Sequence, residues 1–147
     1  MMNFTENNHV YTQRDFEEMG FDFTYTDKLS GTGNNKTDVS RLVMTKKKGT
    51  PCLSMSLCID TAIAARKVFG ERVNVGLDIN NGRILITKGT QRRISGKETE
   101  CGHISLGTAT SAFRNRFGMF FEIYLHEQVY AEGNAILFTF TDEDIKR

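Results

Sequence analysis

The chain has 147 residues and a mass of 16.7 kDa, enough for one domain with a real core or for two very small ones. Apolar residues make up 39% and charged residues 25%, the texture of a globular protein, and the formal net charge of +1 excludes a uniformly basic nucleic-acid protein or an acidic mimic of DNA. No apolar run has the length of about 18 residues that a membrane span needs, and three cysteines (Cys52, Cys58 and Cys101) are too few and odd in number for a disulfide framework, so the expected setting is reducing and cytoplasmic, with no membrane contact.

Residues 1–11 are polar, with no basic stretch leading into an apolar one as a secretory signal has. Thr12 followed by Asp15 has the spacing of a capping box and opens a short helix that runs to Met19 and stops at Gly20. Phe21, Phe23 and Tyr25 alternate with Asp22, Thr24 and Thr26, a period of two that predicts a strand with a buried aromatic face. Residues 27–38 read as a loop. Its Gly31-Thr32-Gly33-Asn34-Asn35-Lys36-Thr37 run lacks the glycine that a phosphate loop places before the lysine.

Residues 41–45 read as a strand, Lys46-Lys47-Lys48-Gly49 as a turn and residues 53–59 as the returning strand. Asp60 caps a helix that ends at Phe69-Gly70. Val73, Val75, Leu77 and Ile79 alternate up to Asn80-Asn81-Gly82, and Ile84 and Ile86 return; an Asn-Gly pair between alternating apolar runs is the strongest short-range hairpin signal. Residues 88–100 read as a basic, glycine-containing linker. Ile104 and Leu106 mark a short strand, and residues 108–117 a helix closed by Gly118. Phe121, Ile123 and Leu125 alternate, Glu132-Gly133-Asn134 turns, and Ile136, Phe138 and Phe140 return, before a solvated tail over residues 142–147.

This order contains a repeat. Phe69-Gly70 recurs as Phe117-Gly118, and behind it Val73, Val75 and Leu77 fall on Phe121, Ile123 and Leu125. The expected fold class is α+β: a short N-terminal helix and strand with a loop over residues 1–40, then a domain over 41–147. That domain would be built from two pseudo-symmetric β-α-β-β units, at about 41–89 and 101–141, sharing one core because neither is large enough to bury its own. The stretch VMTKKKGTPCLSMSLCIDTAIAARKVFGERVNVGLDINNGRILITKG, residues 43–89, resembles the AbrB/MazE-type DNA-binding module, with the second unit supplying a tandem half. The family's proline at the helix entry is replaced by Ser56-Leu57-Cys58. The resemblance implies DNA binding by basic residues of sheet edge and loops. The overall texture is also similar to small accessory proteins of bacteriophages.

Divided by segment, the net charge reads −4 over residues 1–35, +9 over 36–97 and −4 over 98–147. A basic centre thus lies between two acidic ends, which points to a polyanion partner or to internal charge pairing. The candidate nucleic-acid-binding residues are Lys46, Lys47, Lys48, Arg66, Lys67, Lys88, Arg92, Arg93 and Lys97. They would contact phosphates and release counterions; they would position rather than read the bases. The aromatic residues are assigned to the core. No cysteine or histidine spacing fits a zinc site, Glu98 and Glu100 lie in a polar loop with no dry cleft to hold them, and no nucleophile turn is present. The expectation is therefore no metal, no cofactor and no enzyme. The leading function is a regulatory protein that binds DNA or RNA, as a monomer or homodimer. The alternative is a phage-type inhibitor or adaptor that grips a host protein.

Overall fold

The computed structural model describes residues 12–26, 39–47, 50–97, 99–118, 120–130 and 135–146, the side chains of 45–47 and 127–130 excepted. Helix α1, Gln13–Glu18, has its capping box: the Thr12 hydroxyl accepts from the Asp15 N–H while the Asp15 carboxylate accepts from the Thr12 N–H. Two strands follow, β1 (Arg41–Lys47) and β2 (Thr50–Leu57), then helix α2 (Ile59–Phe69), which starts two residues earlier than the Asp60 cap predicts because Cys58 holds the N-cap position. Strands β3 (Arg72–Asp78) and β4 (Arg83–Lys88) form the expected hairpin, Asp78 pairing with Arg83 across the turn. The region read as a linker contains strand β5 (Arg92–Ser95). Strand β6 (Gly102–Thr108), helix α3 (Ser111–Phe117), strands β7 (Phe121–Tyr124), β8 (His126–Tyr130) and β9 (Ala135–Thr139), and a two-residue β10 (Ile145–Lys146) complete the chain.

All strands join one antiparallel sheet in the order β10-β7-β1-β2-β6-β5-β3-β4-β9-β8. The expectation of an α+β fold with two pseudo-symmetric β-α-β-β units is thereby overturned: the molecule is mostly β, a curled antiparallel half-barrel with a few short helices. The cause lies at Leu125. The alternation of Phe121, Ile123 and Leu125 is real and all three are buried, but the Leu125 N–H donates to the Ser40 carbonyl at 2.9 Å and the strand divides there. Before it, β7 pairs with β1; after it, β8 pairs with β9, at the other end of the sheet order. The second supposed unit is thus split between both ends of the sheet, and β9 pairs with β4 of the first. Because a single residue connects β7 to β8, the two ends meet at that corner, and this curls the sheet.

The enclosed face carries the main core. Leu42, Met55, Val75, Ile84, Ile104 and Phe138 are among its fully buried members. Helix α2 adds Ala62, Ala65 and Phe69, and α3 adds Phe113. On the opposite face of β4 and β9, Leu85, Ala135 and Leu137 form a second cluster with Phe16, Phe21 and Phe23. The aromatic run at residues 21–25 is buried as expected but is not a strand. It makes isolated bridges, Asp22 with Leu77 and Thr26 with Ala109. Strand β5 covers β3 only at Arg72 and Val73, which leaves the Leu77 backbone free to exchange two 2.8 Å hydrogen bonds with Asp22. The ring of Phe23 reaches so close to Gly76 that a Cβ there would lie 2.6 Å from it.

The tail is not wholly solvated. The Thr141 N–H and the His126 ring hold the Asp144 carboxylate, whose pKa is lowered chiefly by that backbone hydrogen bond, and Ile145 packs on the core. Among the described residues no helix is long and apolar enough to cross a membrane.

Candidate nucleic-acid surface

The nine candidate cations meet three fates. Arg92 and Arg66 are built into the fold. Arg92 is 5% exposed. It enters the protein because β5 alternates around Ile94, which sits in the main core, and Arg92 shares that strand face. Its guanidinium donates to the Leu106 carbonyl and, at 3.0 Å, to the Thr26 hydroxyl, and it lies over the Tyr25 ring at 5.6 Å. Arg66, in the last turn of α2, donates to the carbonyls of Glu100, Ser95 and Cys101 at 2.7, 2.9 and 3.2 Å. It clamps the Gly96–Cys101 loop against the helix, which satisfies carbonyls that a loop cannot pair for itself.

Lys46 and Lys47 lie on β1 at the tip of the β1–β2 hairpin, opposite Pro51 and Thr50, and Lys48 is outside the described residues. The register fixes where this tip is. Next to the hairpin, Cys52 pairs with Thr108 of β6, whereas β5 joins the other end of β6 through His103 and Ile104. At about 3.4 Å per residue the two ends are ~14–17 Å apart along β6. The lysine hairpin and the β5 region therefore join opposite ends of that strand.

Lys67, Lys88, Arg93 and Lys97 are exposed, and the sheet register gathers two of them with a residue that the sequence reading passed over. Arg72, the exposed first residue of β3, pairs directly with Arg93, and its neighbour Val73 pairs with Lys88. Lys67 precedes this group by less than two turns of chain, and the Arg66 clamp ties the Lys97 loop to the same helix. These cations are near the C-terminal end of α2 in the chain and the register but do not share one face: Lys88 lies opposite Val73 on the core side of the sheet, and Arg72 and Arg93 point to the other side. Of the acids there, Glu71 approaches Arg93 at 4.0 Å, with both side chains more than half exposed, an interaction worth at most about 1 kcal/mol and screened by salt. Arg72 was legible as a polar residue opening an alternating strand, but only the pairing with β5 shows that it meets Arg93.

Comparison with protein-family models, with curated proteins and with solved structures finds no match to this chain.

Two other groups of residues stand apart from these cations. The three cysteines form no disulfide and are half-buried, and among the described residues no three histidine, cysteine or acidic side chains come together as metal ligands would. Val39, Ile59 and Ile63 are large apolar side chains exposed by 46, 47 and 38%. Ile59 and Ile63 are one turn apart on α2, and the Cys58 N–H donates to the Ser40 hydroxyl, which brings Val39 toward the start of that helix.

Proposed function

We propose that this protein binds nucleic acid through the phosphate backbone, on the cationic surface around the C-terminal end of α2. The observation that carries the reading is the cross-strand pairing of Arg72 with Arg93, two like charges on one sheet face, both left exposed. Like charges directly opposite one another on a sheet are destabilising; a surface that keeps them there is suited to a counter-charged partner. Contacts of this kind fix position and carry no sequence information.

The test is fluorescence anisotropy with labelled duplex and single-stranded oligonucleotides over a salt series. Affinity should fall linearly on a log–log plot, with a slope near −0.9 for each phosphate neutralised on duplex DNA. In the double variant R72E/R93E the slope should fall by about two, roughly one per lost phosphate contact. Absence of binding at low salt, or an unchanged slope in the variant, overturns the reading.

A second reading, a protein-binding inhibitor or adaptor, is favoured by the apolar surface of Val39, Ile59 and Ile63, because exposed apolar residues that adjoin one another mark interaction sites more often than scattered ones do. The two readings separate on one measurement: I59D/I63D should leave nucleic-acid affinity unchanged if the first is right.

A further inference from the structure

The curled sheet does not close along its whole length. A cleft of about 280 Å³ opens between the end of β3, the end of α3, β7 and β10. Its apolar walls include Ile79, Phe117, Phe121, Ile123 and Ile145. Three of these, Ile79, Phe117 and Ile145, are the partly buried apolar residues that pack against the main core. The core therefore comes closest to solvent at this cleft. Its volume lies just below the range for small-molecule sites, about 300–1,000 Å³, which leaves no room for a peptide helix.

The polar groups on the cleft are few and of defined kind. Arg116, in the last turn of α3, holds its guanidinium over the Phe117 ring at 5.3 Å. Among the described residues it has no carboxylate within ion-pair distance. Asp142 and Asn80 complete the lining. A guanidinium resting on an aromatic wall keeps its donor edge available for a planar carboxylate, and Asp142 opposes a second negative charge on the same ligand.

We infer that this cleft binds a small apolar monocarboxylate, its apolar body against Phe121 and Ile123 and its carboxylate on Arg116. A plain acid and a free apolar amino acid share this chemistry; in the second, the ammonium group would meet Asp142. The site is independent of the cationic surface around α2.

The test is a titration of the isotope-labelled full chain, followed by amide shifts, with phenylpropionate, with the uncharged phenylpropanol and with L-phenylalanine. Phenylpropionate should give saturable shifts at Phe121, Ile123 and Ile145, with a dissociation constant on the order of 1 mM, as expected of so small a ligand. Phenylpropanol should bind the same residues at least about fivefold more weakly, the difference being one charge-assisted hydrogen-bonded pair. Arg116 is exposed, so R116Q should fold normally; it should reduce the affinity for phenylpropionate to that for phenylpropanol and leave phenylpropanol unaffected. L-phenylalanine binding more tightly than phenylpropionate assigns a free amino acid, and the reverse assigns a plain acid. No saturable shifts at these residues, equal affinity for acid and alcohol, or an R116Q variant that binds phenylpropionate as well as the unaltered chain each overturns the assignment.

Discussion

Arg92 and Arg93 are neighbours in sequence with opposite roles, and the difference is the strand between them and Ile94. A residue in a strand faces the opposite way from the next, so once Ile94 is in the core, Arg92 is inside and Arg93 outside. Read as a linker, the segment gives both the same solvated role, which is why the sequence alone assigns Arg92 to a binding surface. The buried guanidinium instead holds the structure together: it supplies donors to the Leu106 carbonyl and the Thr26 hydroxyl and stacks on Tyr25. Arg92→Ala should therefore destabilise the fold by about 2–4 kcal/mol, because buried acceptors lose their donor and a void is left, whereas Arg93→Ala should stay within about 0.5 kcal/mol; urea denaturation measures both. Tyr25 gives a pH-dependent counterpart. Its hydroxyl donates to the Val75 carbonyl at 2.7 Å, and burial raises its pKa well above the ordinary value, with Arg92 opposing in part. A raised acid pKa means the folded state keeps a proton that the unfolded state releases near the ordinary tyrosine value. The stabilisation is complete below that value and declines as the pH rises toward the folded pKa. Stability should fall by up to about 1.4 kcal/mol per pH unit above pH ~10, and Tyr25→Phe should remove this part of the slope while lowering stability at neutral pH. An unfolding series in alkaline buffers on both proteins checks the sign; equal slopes would refute it.

Among the elements, what the sequence shows clearly is what is determined locally. The capping box of α1 and the Asn80-Asn81-Gly82 turn depend on residues three or four apart, and both are present as expected. The turn is exacting. Gly82 has φ 65° and ψ 42°, the left-handed region, and a Cβ there would come within 2.2 Å of the Phe140 carbonyl oxygen. Phe140 N–H in turn donates to the Gly82 carbonyl at 2.9 Å, so the hairpin tip is anchored to the residue after β9. Gly82→Ala should cost about 2–4 kcal/mol, combining backbone strain with a clash that only backbone movement relieves; a fall in the urea midpoint with an unchanged m-value is the expected readout. The N-terminal segment teaches the opposite lesson. The burial of Phe21, Phe23 and Tyr25 is legible from their spacing, yet the first two lie in the outer cluster and the third in the main core. Strict alternation would put all three on one face. The segment departs from it because it bonds to β3 only where β5 leaves the edge open, an arrangement set by a strand about 70 residues later in the chain (roughly half its length, the scale at which pairing is non-local).

At the scale of the whole molecule, most strands were legible, β5 was not, and partners beyond the local hairpins were not. The alternation around Leu125 is unbroken, and nothing local reveals that its N–H is taken by Ser40 or that the strand serves two ends of the sheet. The same non-local pairing decides the charge distribution. A sum of +9 over residues 36–97 suggests one basic surface, but the register sends Lys46 and Lys47 toward one end of β6 and the Arg72–Arg93 pair toward the other, while Arg66 and Arg92 are taken up by carbonyls. Binding that is driven by phosphate contacts depends on how many cations a single backbone can reach, so the two ends should not be equivalent. The hairpin carries three lysines in sequence; near the end of α2 the register sets Arg72 and Arg93 opposite one another on one exposed sheet face. If the proposed surface is right, reversing all three hairpin lysines to glutamate, a larger change in net charge than R72E/R93E, should alter the affinity for a short duplex less than that double variant does. The salt slope should separate the cases as well: a loss of about two in R72E/R93E and of less than one in the hairpin variant, since each phosphate contact contributes roughly one. An effect that simply tracks total charge, greatest in the triple variant, would mean that the protein attracts nucleic acid by its overall field and has no surface for it.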